Sequence, residues 1–122
     1  LAAGTPIWTD QGLVAIEKIQ PGDRVLAKNI ETGELAYKPV LHTTHRRDAK
    51  LTSIATGRDT IEASPGHHFW ISGCGWTRTN QLTSGMLAHT VTGRSTLTVE
   101  ETGRTADVFN LIVADFHTYF IG

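Results

Sequence analysis

The chain has 122 residues, 39% hydrophobic and 19% charged, with a formal net charge of −1. This length suits one domain with a modest core, and the composition is that of an ordinary globular protein. The near-neutral balance argues against nucleic acid as a partner, no apolar run is long enough to span a membrane, and the first residues lack the basic start and apolar stretch of a signal peptide.

The elements read as strand and turn almost throughout. "PIWT" is a strand, "DQG" a tight turn, and "LVAIEKI" a second strand running into one helical turn, closed by Pro21-Gly22. "DRVLAK" is a strand, followed by the turn "ETGE", where Gly33 supplies a positive φ. "LAYKPVLHTTH" alternates, with Pro39 marking an edge or bulge. Arg46, Arg47 and Lys50, interrupted by Asp48, form the basic cluster and read as a solvated loop. "LTSIA", "DTIEA", "HHFWIS", "HTVTG", "STLTVEE", "DVFNLIVA" and "HTYFIG" complete the strands, punctuated by "TGR" turns at 56–58, 92–94 and 102–104. Short segments between glycine-containing turns predict an all-β domain rather than alternating β/α units. The single cysteine, Cys74 in "SGCGW", excludes an intrachain disulfide and reads as an inert turn thiol.

The chain also echoes itself. "GTPIWTDQGLVAIEKIQPGDRV" resembles "GHHFWISGCGWTRTNQLTSGMLA". Gly4 matches Gly66 and Trp8 matches Trp70, at an offset of 62. After one inserted residue, Gly12 matches Gly75, Ile19 matches Leu82 and Gly22 matches Gly85, at an offset of 63. The pattern predicts a duplicated β-subdomain packed about a pseudo-two-fold axis.

Six histidines are the candidates for chemistry. In "EASPGHHFW", Ser64-Pro65-Gly66 reads as a turn whose amides point outward, and His67 and His68 face opposite sides if they lie in a strand. A histidine beside such a turn can act as general acid or base on an acyl group, with the amides holding an oxyanion. His117 sits between aromatics in "ADFHTYFIG", in a strand or at its start, and also reads as a core histidine. His42 and His45 in "HTTH" face opposite ways in a strand, His89 reads as a surface strand residue, and no spacing supports a zinc site. No "GxSxG" elbow supplies a nucleophile. No cofactor and no metal is expected.

At "LAAGTPIWTDQGLVAIEKIQPGDRVLA", "IEASPGHHFW" and "VFNLIVADFHTYFIG" the whole chain, 1–122, resembles the Hint superfamily of inteins and hedgehog-type autoprocessing domains, with the bacterial intein-like and pretoxin branches nearest in motif. The resemblance implies a horseshoe-like all-β fold with pseudo-two-fold symmetry, and self-processing: a first-residue cysteine attacks the preceding carbonyl and turns the peptide bond into a thioester. Ser64 stands where the family has the threonine of Thr-x-x-His, and His67 stands at the histidine, which protonates the leaving amide. His117 matches the histidine that assists C-terminal cleavage. Asn110 occupies a position where many inteins carry aspartate, and an amide cannot serve as an acid or base. His68, Trp70 and Asp115 read as structural or peripheral.

The same resemblance puts the cysteine immediately before Leu1 and a "V-x-V-H-N"-like ending after Gly122, so the 122 residues alone are expected to be inert. It implies a monomer whose partners are its own flanking segments, and a bacterial host protein that is secreted or at the cell surface. The alternative is a non-catalytic Hint-like scaffold that binds flanking peptide along a sheet edge.

Overall fold

The computed structural model describes residues 1–57, 59–91 and 93–121. Among these the regular structure is nine strands and two single 3₁₀ turns. The strands are β1 (Pro6–Thr9), β2 (Gly12–Ala15), β3 (Arg24–Lys28), β4 (Leu35–Thr56), β5 (Asp59–Ala63), β6 (His68–Ile71), β7 (Gly75–Arg78), β8 (Leu87–Thr90) and β9 (Gly93–Val113). The 3₁₀ turns are Ile16–Lys18 and Thr79–Gln81. No described helix is long and apolar enough to cross a membrane.

The chain divides into two compact units. One comprises 3–45 and 109–122, the other 1–2 and 46–108, and β4 and β9 contribute residues to both. In the first unit β1 pairs antiparallel with β2, from Pro6↔Ala15 to Thr9↔Gly12, and with β3 at Thr9↔Val25. β3 in turn pairs with β4, from Arg24↔Pro39 to Lys28↔Leu35. In the second unit β6 pairs with β7, from His68↔Arg78 to Ile71↔Gly75, and with β8 at Ile71↔Ala88. β8 pairs with β9, and β5 pairs with the later part of β4.

The sequence echo is therefore a repeat of structure: hairpin, 3₁₀ turn, third strand. The β1–β2 loop is Asp10-Gln11, whereas the β6–β7 loop, Ser72-Gly73-Cys74, is one residue longer. That insertion is why the offset steps from 62 to 63. The backbone bonds repeat too. The Ile16 N–H donates to the Thr5 carbonyl at 2.9 Å, and the Thr79 N–H to the His67 carbonyl at 2.8 Å. The Gly22 N–H donates to Val40 at 2.8 Å, and the Gly85 N–H to Leu97 at 2.9 Å. Val40 and Leu97 donate back to Asp23 and Met86, both at 2.8 Å.

Each unit buries its own apolar set. Ile7, Ile16, Ile19, Val25, Ala27, Val40, Leu111, Val113 and Phe120 are buried in the first. The second buries Leu1, Leu51, Ile54, Ala63, Ile71, Leu82, Leu97 and Val108, with Ala49, Leu51 and Val108 forming one cluster against Ala2 and Ala106. Each fully buried Ile or Leu contributes about 1.5–3 kcal/mol, so these strands are held by packing rather than by propensity.

Several sequence expectations are corrected. "LAYKPVLHTTH" and "LTSIA" are one strand, β4, and the basic cluster lies inside it; its charges are exposed but it is not a loop. Pro39 sits within the paired register of β4. "STLTVEE" and "DVFNLIVA" likewise join as β9, because Gly103 takes φ +71 inside the strand instead of ending it. There the Thr102 hydroxyl donates to the Leu51 carbonyl at 2.8 Å. Of the other two "TGR" segments, Arg58 and Thr92 lie outside the described residues. Of "HTYFIG", Gly122 lies outside the described residues, and 117–121 is not a strand; it is tied by the Trp8 N–H to the Phe120 carbonyl at 3.1 Å and by the bridge Ile7↔Ile121. His89 is partly buried in β8.

Gly22 and Gly85, the repeated glycines, have φ of +95 and +100, and a Cβ on either would meet no atom within 4 Å. Any effect of alanine there is backbone strain alone. Gly22→Ala and Gly85→Ala should each lower unfolding stability by roughly 1–2 kcal/mol in urea titration, and by similar amounts. An unchanged midpoint in either variant would contradict this equivalence.

Candidate active site around His67

The site is built on the link between β5 and β6. Ser64, Pro65, Gly66 and His67 form a turn closed by the His67 N–H donating to the Ser64 carbonyl at 3.2 Å. Proline fixes φ at the second position and glycine relieves crowding at the third, so the sequence favours this turn locally. Ser64 is 8% exposed, so its side chain is enclosed. His67 is not in a strand but just before one, partly buried, while His68 opens β6 and is exposed.

Two residues beyond the hairpin lock the turn from behind. The His67 carbonyl accepts both the Thr79 N–H at 2.8 Å and the Thr79 hydroxyl at 2.9 Å. The Asn80 N–H reaches the Pro65 carbonyl at 3.1 Å. Phe69 sets the imidazole edge-on, with ring centroids 4.7 Å apart and planes at 63°. Thr79 and its counterpart Ile16 are each 1% exposed. One copy of the repeat thus fills this slot with an apolar side chain, and the copy carrying His67 fills it with a hydroxyl.

The start of the chain belongs to the same unit. The Leu1 side chain is 1% exposed, the Ala2 N–H donates to the Glu62 carbonyl at 2.9 Å, and Ala2 bridges Val108. Burial lowers the Leu1 amino group from 8.0 to about 6. His67 is pushed from 6.5 down to about 3, first by burial, then by the positive charge of the Leu1 amino group, then by His68. The imidazole is therefore neutral at pH 7.

Asn110 and His117 lie in the other unit. Asn110 is in β9 and partly buried; its Oδ1 accepts the Tyr119 hydroxyl at 2.6 Å and the Leu111 N–H at 2.9 Å. Burial raises the Tyr119 phenol, which stays protonated as a donor. His117 is neither strand nor core: it follows the turn Ala114–Phe116, is exposed, and has φ +56. Cys74 is exposed in the β6–β7 loop. His42 and His45 are exposed on β4, with His45 stacked on Phe109 at 4.5 Å. Trp70 meets Trp76 edge to face at 5.4 Å. Among the described residues no group of three or more His, Cys, Asp or Glu could hold a metal ion.

Sequence reasoning missed Thr79 and Tyr119. Thr79 had a signal, because the echo sets a hydroxyl against Ile16 in a buried slot. Tyr119 had none, since "HTYF" gives no hint that its hydroxyl meets Asn110.

A family model described as "Pretoxin HINT domain" matches residues 7–122. A bacterial intein-like domain from Clostridium thermocellum is 36% identical, with a TM-score of 0.87, covering 99% of this chain and 91% of that one. The gp41-1 intein is 25% identical, with a TM-score of 0.82 and coverages of 99% and 91%. A DnaB intein from Synechocystis sp. PCC 6803 is 19% identical, with a TM-score of 0.85 and coverages of 99% and 92%, and shows the fold alone. No curated protein matches the chain significantly.

The His67 shift has a consequence for stability. Below pH 6.5 the unfolded chain protonates His67 and the folded chain does not, so the unfolded state binds more protons. Stability should fall as pH drops from about 6.5 toward about 3, by at most about 1.4 kcal/mol per pH unit from this group. His67→Gln should flatten that decline in urea melts at a series of pH values. A His67 ring that titrates near its ordinary value by NMR would contradict the assignment.

Proposed function

The chain belongs to the pretoxin Hint domain family, and on that premise we propose that it rearranges a peptide bond in its own polypeptide. The Hint and intein fold is one of autoprocessing and splicing, and such domains act on their own flanking segments. The bond in question precedes a cysteine joined to the Leu1 nitrogen. What supports this reading most is that the Ala2 N–H is bonded to the Glu62 carbonyl, two residues ahead of the turn that carries the neutral His67, so the chain start and that turn are tied within one unit.

The chemistry is an N–S acyl shift. The cysteine sulfur attacks the carbonyl carbon of the preceding residue, its proton passing by way of His67 to the leaving nitrogen. A C–S bond forms, the C–N bond breaks, and the imidazolium returns the proton to the leaving nitrogen. The burial that makes His67 a weak base makes its imidazolium a strong acid, which suits it to protonate an amide. Ser64 holds the strained bond from within the turn, and outward turn amides stabilise the tetrahedral oxyanion. Fixing the His67 carbonyl through Thr79 keeps the ring at a set distance from the reacting nitrogen.

The roles of Asn110 and His117 concern the later steps. With Oδ1 engaged by Tyr119 and Leu111, Asn110 has its Nδ2 donors left to offer. It therefore acts by donating a hydrogen bond, not by moving a proton. His117, exposed after β9, assists cleavage at the downstream junction.

A fusion with a short upstream segment and a cysteine before Leu1 tests the proposal. Dithiothreitol should release the upstream segment within a day, and His67→Ala should abolish release. A folded fusion that never cleaves would contradict the proposal and favour a peptide-binding scaffold; cleavage unaffected by His67→Ala would contradict the role of His67.

A further inference from the structure

We infer that Lys38 is a positioning residue for His117, holding the turn that presents its imidazole; this rests on the role of His117 proposed above. The non-glycine residues at positive φ among those described are Asp48, Asp115 and His117. Two of the three thus fall within one short segment, at φ +61 and +56. Such backbone persists only where its surroundings over-determine it, and it gathers at functional positions.

Two clamps bracket His117. On its C-terminal side the Thr118 hydroxyl donates to the Lys28 carbonyl at 2.8 Å and accepts the Lys28 N–H at 2.7 Å. On its N-terminal side the Ala114 N–H donates to the Pro39 carbonyl at 3.0 Å. The neighbouring residue, Lys38, then makes two contacts with one ammonium group. Its Nζ lies 3.3 Å from Asp115 Oδ2 and 4.8 Å from the centre of the Phe116 ring. These are the two residues immediately before His117. β4 is anchored below by pairing with β3 at Val25↔Lys38, so the lysine reaches the turn from a fixed base.

The side chains of Lys38 and Asp115 are 26% and 66% exposed. A pair that open adds little to global stability. Its effect is local, selecting the turn conformation in which residue 117 sits left-handed. Arginine would retain both the charge and the ring contact, whereas methionine would retain only the length.

The test uses two preparations. One is the 122-residue chain; the other carries a "V-x-V-H-N"-like ending and a reporter after Gly122. Lys38→Met should slow downstream release roughly three- to tenfold, and Lys38→Arg should restore it, with the thermal midpoint little changed. In the 122-residue chain, ¹⁵N relaxation should show residues 115–117 loosened by Lys38→Met and not by Lys38→Arg. If His117→Ala blocks release while Lys38→Met does not slow it, the inference fails and the reading of His117 stands. If His117→Ala releases normally, the reading of His117 fails, and the inference falls with it. If no variant releases the reporter, relaxation decides, and an unchanged turn in Lys38→Met overturns the inference.

Discussion

One backbone hydrogen bond organises each half of the repeat: the first N–H of the 3₁₀ turn donates to the carbonyl just ahead of the hairpin. In one unit it joins Ile16 to Thr5, in the other Thr79 to His67. A buried carbonyl at the mouth of a hairpin must find a donor, because leaving it bare costs about 1–3 kcal/mol. Closing the 3₁₀ turn onto it satisfies the carbonyl and fixes where the following chain goes. The glycines at positive φ and the reciprocal bonds of Val40 and Leu97 follow from that closure.

The candidate site is a modification of one copy. Where the first copy has Thr5 and Ile16, the second has His67 and Thr79. The exchange puts an imidazole on the residue whose carbonyl is already clamped, and adds a hydroxyl as its second donor. A ring on a doubly held backbone has few ways to move, which is what proton transfer over a short distance requires. The buried Leu1 side chain and the Ala2–Glu62 bond fix the start of the chain in the same unit by the same logic of local satisfaction. The geometry of the candidate site is an outcome of local hydrogen bonding in a small repeat.

Much of this was legible in the residues. Paired tryptophans and glycines exposed the duplication, including the inserted residue, because turns at positive φ tolerate few alternatives. "SPGHH" announced a turn beside a histidine, since proline and glycine act locally. Strand ends were less legible: a glycine can end a strand or bend it, and Gly103 bends one because Thr102 finds a partner in Leu51. That choice depends on a neighbouring strand far away in sequence. His117 was misread for the same reason. Aromatic neighbours suggest a strand, but contacts from Lys28 and Lys38 hold the segment irregular. The Tyr119–Asn110 bond likewise exists only once β9 and the segment after it are folded.

The central claim is that His67 drives acyl transfer from nitrogen to sulfur at the residue joined to Leu1. The most direct measurement is hydroxylamine trapping followed by mass spectrometry, on the fusion carrying a cysteine before Leu1. A thioester should be captured as a hydroxamate at the C-terminus of the upstream segment, with His67 intact and not with His67→Ala. An upstream segment that is never trapped from a folded fusion, or is trapped equally well without His67, would contradict the account.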